Sequence, residues 1–155
     1  MADSDTESVE RVIAAPPEAI FALLADPRRH KDFDGSGTVR SAKKMPDALK
    51  LGSTFGMSMR LGIHYSMQST VIEFEPNRRI AWQTRPPGRI PGKLAGGRIW
   101  RYELEPVDGG TRVRESWDIS QEVLKVLVKP ARGKTVKAMA DTLERIEKVL
   151  SGETA

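Results

Sequence analysis

Residues 97–120 read GRIWRYELEPVDGGTRVRESWDIS. In the first half Trp100, Tyr102 and Leu104 alternate with Arg101, Glu103 and Glu105; in the second Val113, Glu115, Trp117 and Ile119 alternate with Arg112, Arg114 and Asp118. A period of two gives each strand one bulky and one charged face, and Gly109 and Gly110 supply the turn of a hairpin. Beyond it Val136, Met139, Leu143, Ile146 and Leu150 recur at helical spacing, which predicts a helix over 134–150. At about 1.5 Å per residue that helix spans roughly 25 Å, enough to lie along the concave side of a curved sheet. The bulky row includes Glu115, which a solid core does not accept unpaired. The row therefore reads as the wall of a ligand cavity.

Working back toward the N-terminus, period two persists. Strands are expected over 38–44, from Gly52 through Phe55, Met57, Met59 and Leu61, over 64–75, and over 78–84 with Ile80 and Trp82 on one side. Gly62 marks a tight turn, and Pro76-Asn77 ends the long strand. Within 64–75 the even positions His64, Ser66, Gln68, Thr70, Ile72 and Phe74 read as one face. Before the meander, 8–14 reads as a first strand. Pro16-Pro17 then open a helix with Ile20, Phe21, Leu23 and Leu24 on its apolar side, Asp26-Pro27 end it, and 28–33 can form one more helical turn. Segment 85–97, RPPGRIPGKLAGG, is too rich in proline and glycine to be a strand. A short helix over 122–128, interrupted by Pro130 and Gly133, leads into the last helix.

Bulk composition narrows the function classes. The 155 residues fit one domain over 8–150, with disordered ends at 1–7 and 151–155. No cysteine is present, which excludes disulfides and thiolate metal sites and suits a reducing cytoplasm. Neither a signal-peptide pattern nor a stretch long enough to span a bilayer is found, so integral membrane association is not expected. The net charge is +4, but the basic residues are interspersed with acidic ones, so nucleic acid is not an expected partner. Gly133-Lys134-Thr135 imitates the end of a phosphate-binding loop, yet Val128 stands where the earlier glycine is required. Gly35-Ser36-Gly37 lacks the spacing of a hydrolase elbow, and two histidines far apart provide no metal pair. No metal or cofactor is expected.

The order of elements, carried by AAPPEAIFALLADPRRHKDFDGSG (14–37), VIEFEPNRRIAW (71–82), WRYELEPVDGGTRVRESWDI (100–119) and MADTLERIEKVL (139–150), resembles the START-like, Bet v 1-like (SRPBCC) superfamily. Within it the chain is similar to the bacterial polyketide cyclase/dehydrase and lipid-transport group. The resemblance implies an α+β helix-grip fold: a curved antiparallel sheet of about seven strands around a long C-terminal helix, with two short helices after the first strand. It also implies an internal cavity for an apolar molecule, gated by a loop between late strands, here 85–97. The group has no universal catalytic motif, so no catalytic residue transfers by match.

Candidate site residues follow from the inward rows. Phe55, Met57, Met59, Trp82, Trp100, Tyr102, Trp117 and Met139 offer a polarizable, adaptable wall, and the last helix adds Val136, Ala140 and Leu143. The same residues could instead form a tight core. Glu115 would be partly desolvated, suiting it to orient a ligand or to act as a general acid or base. Alternatively it pairs with an arginine such as Arg98. His64, Gln68 and Thr70 share a face by parity, with Gln68 meeting the ligand's polar end and His64 a candidate proton shuttle. His30, in a basic stretch, is expected to face solvent. Three functions remain: binding, transport or sensing of a small hydrophobic molecule; an enzyme of the cyclase or dehydratase kind using Glu115 or His64; and a protein-interaction module of the chaperone-activator type.

Overall fold

A computed structural model describes residues 5–33, 39–44, 48–61, 63–85, 96–123 and 125–152, with the side chains of 31, 39–44, 57–61, 63–66 and 127 outside the described set. The elements are β1 (Thr6–Ile13), α1 (Pro17–Leu24), α2 (His30–Phe33), β2 (Val39–Lys44), β3 (Thr54–Leu61), β4 (Ile63–Glu75), β5 (Arg79–Arg85), β6 (Arg98–Val107), β7 (Gly110–Asp118), α3 (Lys125–Val128) and α4 (Arg132–Leu150). The strands form one sheet in the order β1-β7-β6-β5-β4-β3-β2. Every neighbouring pair is antiparallel, so β2 to β7 run as a meander and β1 returns to pair with β7. The α+β helix-grip architecture implied by the sequence is the one observed.

Local chemistry explains the breaks. Pro17 occupies the first turn of α1, where its missing N–H costs nothing. Asp26 then accepts from the Arg28 amide at 3.0 Å and caps a single 3-10 turn, Pro27–Arg29, that leads into α2. Between β6 and β7 the loop is Asp108-Gly109, with Gly109 at φ 86° in the left-handed region. Gly110 belongs to β7 rather than to the turn: a Cβ there would collide with the Ile13 carbonyl, so glycine lets β1 approach closely.

The sequence pattern and the structure part at β4. The register shifts between Val71 and Glu73, opposite Trp82 and Ala81, leaving Ile72 as an extra, exposed residue. The bulge resets the parity, so Ser69, Val71 and Phe74 face the core, while Gln68 and Thr70 turn to the convex face with Arg85 and Gln83. Gly62 lies outside the described residues.

α4 starts two residues earlier than expected, at Arg132, because Pro130 sits in a 3-10 turn, Lys129–Ala131, that feeds directly into it. Gly133 is therefore in the first turn, where its low helix propensity costs least. Met139, Thr142, Leu143 and Ile146 are buried against the sheet, whereas Ala140 is exposed and takes no part in the concave interior. Ion pairs fix both ends of the helix to β1: Glu7 to Arg132 at 3.3 Å and Arg11 to Glu147 at 2.8 Å.

The convex face is a ladder of alternating charge. Reading across β1, β7, β6 and β5, Glu10, Arg114, Glu103 and Arg79 stand opposite one another, and Arg112 faces Glu105 in the next row. Opposite charges directly across antiparallel strands attract, so these outward rows stabilise the register that the apolar rows set from the other side.

Candidate functional site: the concave aromatic wall

Register builds the wall. Because β5, β6 and β7 pair without a shift here, Trp82, Trp100 and Trp117, all three tryptophans of the chain, stand directly opposite one another in one row. The adjacent row runs Ile80, Tyr102, Glu115 and Val9.

The two flanking tryptophans are sealed, Trp82 at 7% and Trp117 at 2% exposure, yet Trp100 between them is only partly buried. The core explains why. One buried cluster gathers Ile20, Phe21 and Leu24 of α1 with Ile80, Trp82, Tyr102, Leu143 and Ile146; a second gathers Trp117, Ile119 and Met139. Trp100 packs against both and lies at their seam, with Val136 of α4 partly buried on the second. Toward α1 the concave side is filled by the first cluster, and toward the other end by the second.

Two polar groups interrupt the wall. Glu115 is buried, and its Oε2 accepts from the Tyr102 hydroxyl at 3.0 Å across the β6–β7 pair. Arg98, the alternative partner read from parity, instead forms an ion pair with buried Glu122 at 3.4 Å. The second group is a hydroxyl pair: Ser69 and Thr84, both buried, share a hydrogen bond of 2.8 Å across β4 and β5. Each satisfies the other, which lets an otherwise apolar surface carry a polar spot at little cost.

His30 is the residue that sequence reasoning missed. It is 5% exposed, its ring stacks on Trp82 with centroids 4.9 Å apart at 21°, and Phe33 and Phe55 meet it edge-on. Nε2 donates to the Leu24 carbonyl at 2.8 Å. The expected solvent-facing histidine is thus buried and stacked on Trp82. The available signal was Phe33, three residues on and so on the same face of a helical turn.

The remaining expected residues divide clearly. Phe55, Trp82, Trp100, Tyr102, Glu115, Trp117, Val136, Met139 and Leu143 all lie on the concave side or the helix face that covers it. Gln68 does not, because of the bulge. The side chains of Met57, Met59 and His64 lie outside the described residues; their backbones pair with Met67, Tyr65 and Arg60. The expected gate, 85–97, falls outside too except for Arg85, Gly96 and Gly97. At its base the Gly97 amide donates to the Thr84 carbonyl, Gln83 Nε2 donates to the Gly97 carbonyl, and the Val123 amide donates to the Gly96 carbonyl, each near 3.0 Å. An open groove of about 310 Å³ exists on the convex face, but its Glu10, Arg79, Glu103 and Arg114 are paired among themselves. Leu104 is the one apolar residue among those lining it; the rest are charged. Among the described residues no helix is long and apolar enough to cross a membrane.

Comparison with known proteins places this geometry among others. The family described as polyketide cyclase / dehydrase and lipid transport matches residues 6–151. The uncharacterized protein Rv0088 of Mycobacterium tuberculosis is 41% identical over 115 residues, covering 73% of this chain and 46% of that protein. The chain thus spans about half the length of the curated relatives it matches. Among solved structures, protein Ms6760 from Mycobacterium smegmatis superposes with a TM-score of 0.73 at 17% identity, covering 98% of this chain and 94% of that one. DynU16, a protein in the dynemicin biosynthetic locus, does so with a TM-score of 0.70 at 14% identity, covering 98% of this chain and 49% of its own.

Proposed function

Because the chain belongs to the polyketide cyclase / dehydrase and lipid transport family, we propose that it binds a small hydrophobic molecule, such as a lipid or polyketide, on the concave face over Trp100. The observation that carries this reading is the partial exposure of Trp100 between two sealed tryptophans, at the seam of two apolar clusters. The part of the Trp100 ring that stays exposed gains free energy when an apolar body covers it, at about 25 cal/mol per Å². The ligand's apolar part lies on Trp100 and Val136, and its polar end reaches the Tyr102–Glu115 pair or the Ser69–Thr84 hydroxyls. Segment 85–97 acts as the gate, joined at its base to β5 and to the chain after β7.

A second reading is favoured by one observation. A carboxylate and a phenol hydrogen-bonded to each other inside an apolar wall are equipped to hold and move a proton. In that case the bound molecule is a substrate, Glu115 is the acid or base, and the reaction is of the cyclase or dehydratase class.

Titration with Nile red, a neutral apolar dye, tests the binding reading. Saturable emission enhancement is expected for the native protein and not for Trp100→Arg, which fills the seam with a charge. Equal enhancement for both would place the dye elsewhere and contradict the proposal.

A further inference from the structure

We propose that the segment from Val123 to Lys137, beside the base of the gate, docks the protein on an anionic membrane surface. Between residues 123 and 140 the sequence carries Lys125, Lys129, Arg132, Lys134 and Lys137 and not one acidic residue. This stretch of eighteen residues holds five positive charges, against a net +4 for the entire chain. On the convex ladder, by contrast, cations stand directly opposite carboxylates across the strands.

The structure divides these cations into two groups. Lys125 pairs with Asp5 at 3.0 Å and Arg132 with Glu7 at 3.3 Å, tying the segment to β1. Lys129, Lys134 and Lys137 are exposed, and among the described residues none of them forms an ion pair. The nearby acidic groups Asp5, Glu7 and Glu122 are already engaged, by Lys125, Arg132 and Arg98.

The same segment carries exposed valines. α3 directs Val128 inward against the Trp117 cluster, while Val126 is 74% and Val123 46% exposed. Nucleic acid would reward the lysines but leave the valines in water. An anionic lipid surface rewards both, because lysines meet headgroups while short apolar side chains enter the boundary with the acyl chains. Location supports the choice: the Val123 amide bonds to the Gly96 carbonyl, so the face adjoins the last residues of the gate. Docked this way, the protein would hold that end of its concave side against the bilayer. The inference goes beyond the binding proposal and stands on different residues.

The test is co-sedimentation of the full chain with vesicles of phosphatidylcholine alone and with about a third phosphatidylglycerol, at low and at physiological salt. Binding is expected only to the anionic vesicles, and weaker as salt rises. Each lysine near such a surface is worth about fivefold in affinity, so losing three costs about 100-fold, and the charge-reversed triple variant Lys129→Glu, Lys134→Glu, Lys137→Glu should bind at least that much more weakly. Val126→Asp should lose about tenfold. Unchanged circular dichroism and Nile red binding in both variants keep folding and the concave site out of the result. Equal binding to neutral vesicles, no binding to either kind, or undiminished binding by the triple variant would overturn the proposal. So would a triple variant that loses affinity for duplex DNA while the native protein ignores vesicles.

Discussion

Tyr102 and Glu115 face each other across β6 and β7, and the phenol donates to the carboxylate at 3.0 Å inside the buried concave wall. Removing the donor leaves a buried acceptor without that bond, which costs about 1–3 kcal/mol, more than a typical exposed hydrogen bond. Tyr102→Phe should therefore lower stability by about that amount in urea unfolding. Glu115→Gln, which keeps an oxygen acceptor for the phenol, should cost less. If the wall is instead insensitive to the pair, the two variants and the native protein will share one unfolding midpoint.

On the convex face the acid response has a definite sign. The Arg101 guanidinium hydrogen-bonds Glu73 through two contacts, 2.9 and 2.6 Å, and holds its carboxyl below the ordinary glutamate range, with Arg79 adding attraction. A folded-state value lower than the unfolded one contributes stability that is present above about pH 4.3 and is lost as pH falls through the folded value. Glu73→Gln should be the less stable protein at neutral pH, and its stability curve should converge on the native one in acid. Parallel curves down to acid pH would show that the pair is not linked to folding.

His30 is buried against Trp82, Phe33 and Phe55, so its loss should be felt in the core despite its basic neighbours. Truncation to alanine removes the stack, two edge contacts and the bond to Leu24, and large-to-small changes at such sites cost about 2–4 kcal/mol. His30→Phe retains the ring contacts and should recover most of that. Thermal unfolding of the two variants provides the comparison; equal and small losses would return His30 to the surface.

Gly97 has φ 114°, and a Cβ on it would collide with the Gln121 carbonyl. Gly97→Ala should be destabilising by about 1–3 kcal/mol, through left-handed strain and through separation of Gly96 and Gly97 from the chain after β7. Urea unfolding of this variant beside Gly52→Ala isolates the second effect. Gly52 has φ 84° but nothing within 4 Å, so it should suffer the strain alone.

Much of this architecture is legible in the sequence because β6, β7 and α4 keep strict periods: every second residue from Trp100 to Leu104 and from Val113 to Trp117, and the 139, 143, 146 stripe. The wall residues were legible for the same reason. Gln68 was misplaced because a bulge is an insertion of one residue into an unbroken apolar and polar alternation, and nothing at Ile72 announces it. His30 was misplaced because charge in the neighbouring residues outweighs, in a linear reading, the tight rotation of a single helical turn. The partner of Glu115 depended on register rather than parity: Tyr102 stands directly across from it, whereas Arg98, on the same face of β6, lies four residues away.

The central claim is that an apolar molecule occupies the seam at Trp100. Native mass spectrometry of the freshly purified protein tests it most directly, with Trp100→Arg run alongside. The account predicts a mass excess on the native chain that disappears on denaturation and is absent from the variant. A native spectrum at the mass of the bare chain, or the same excess on both proteins, would contradict it.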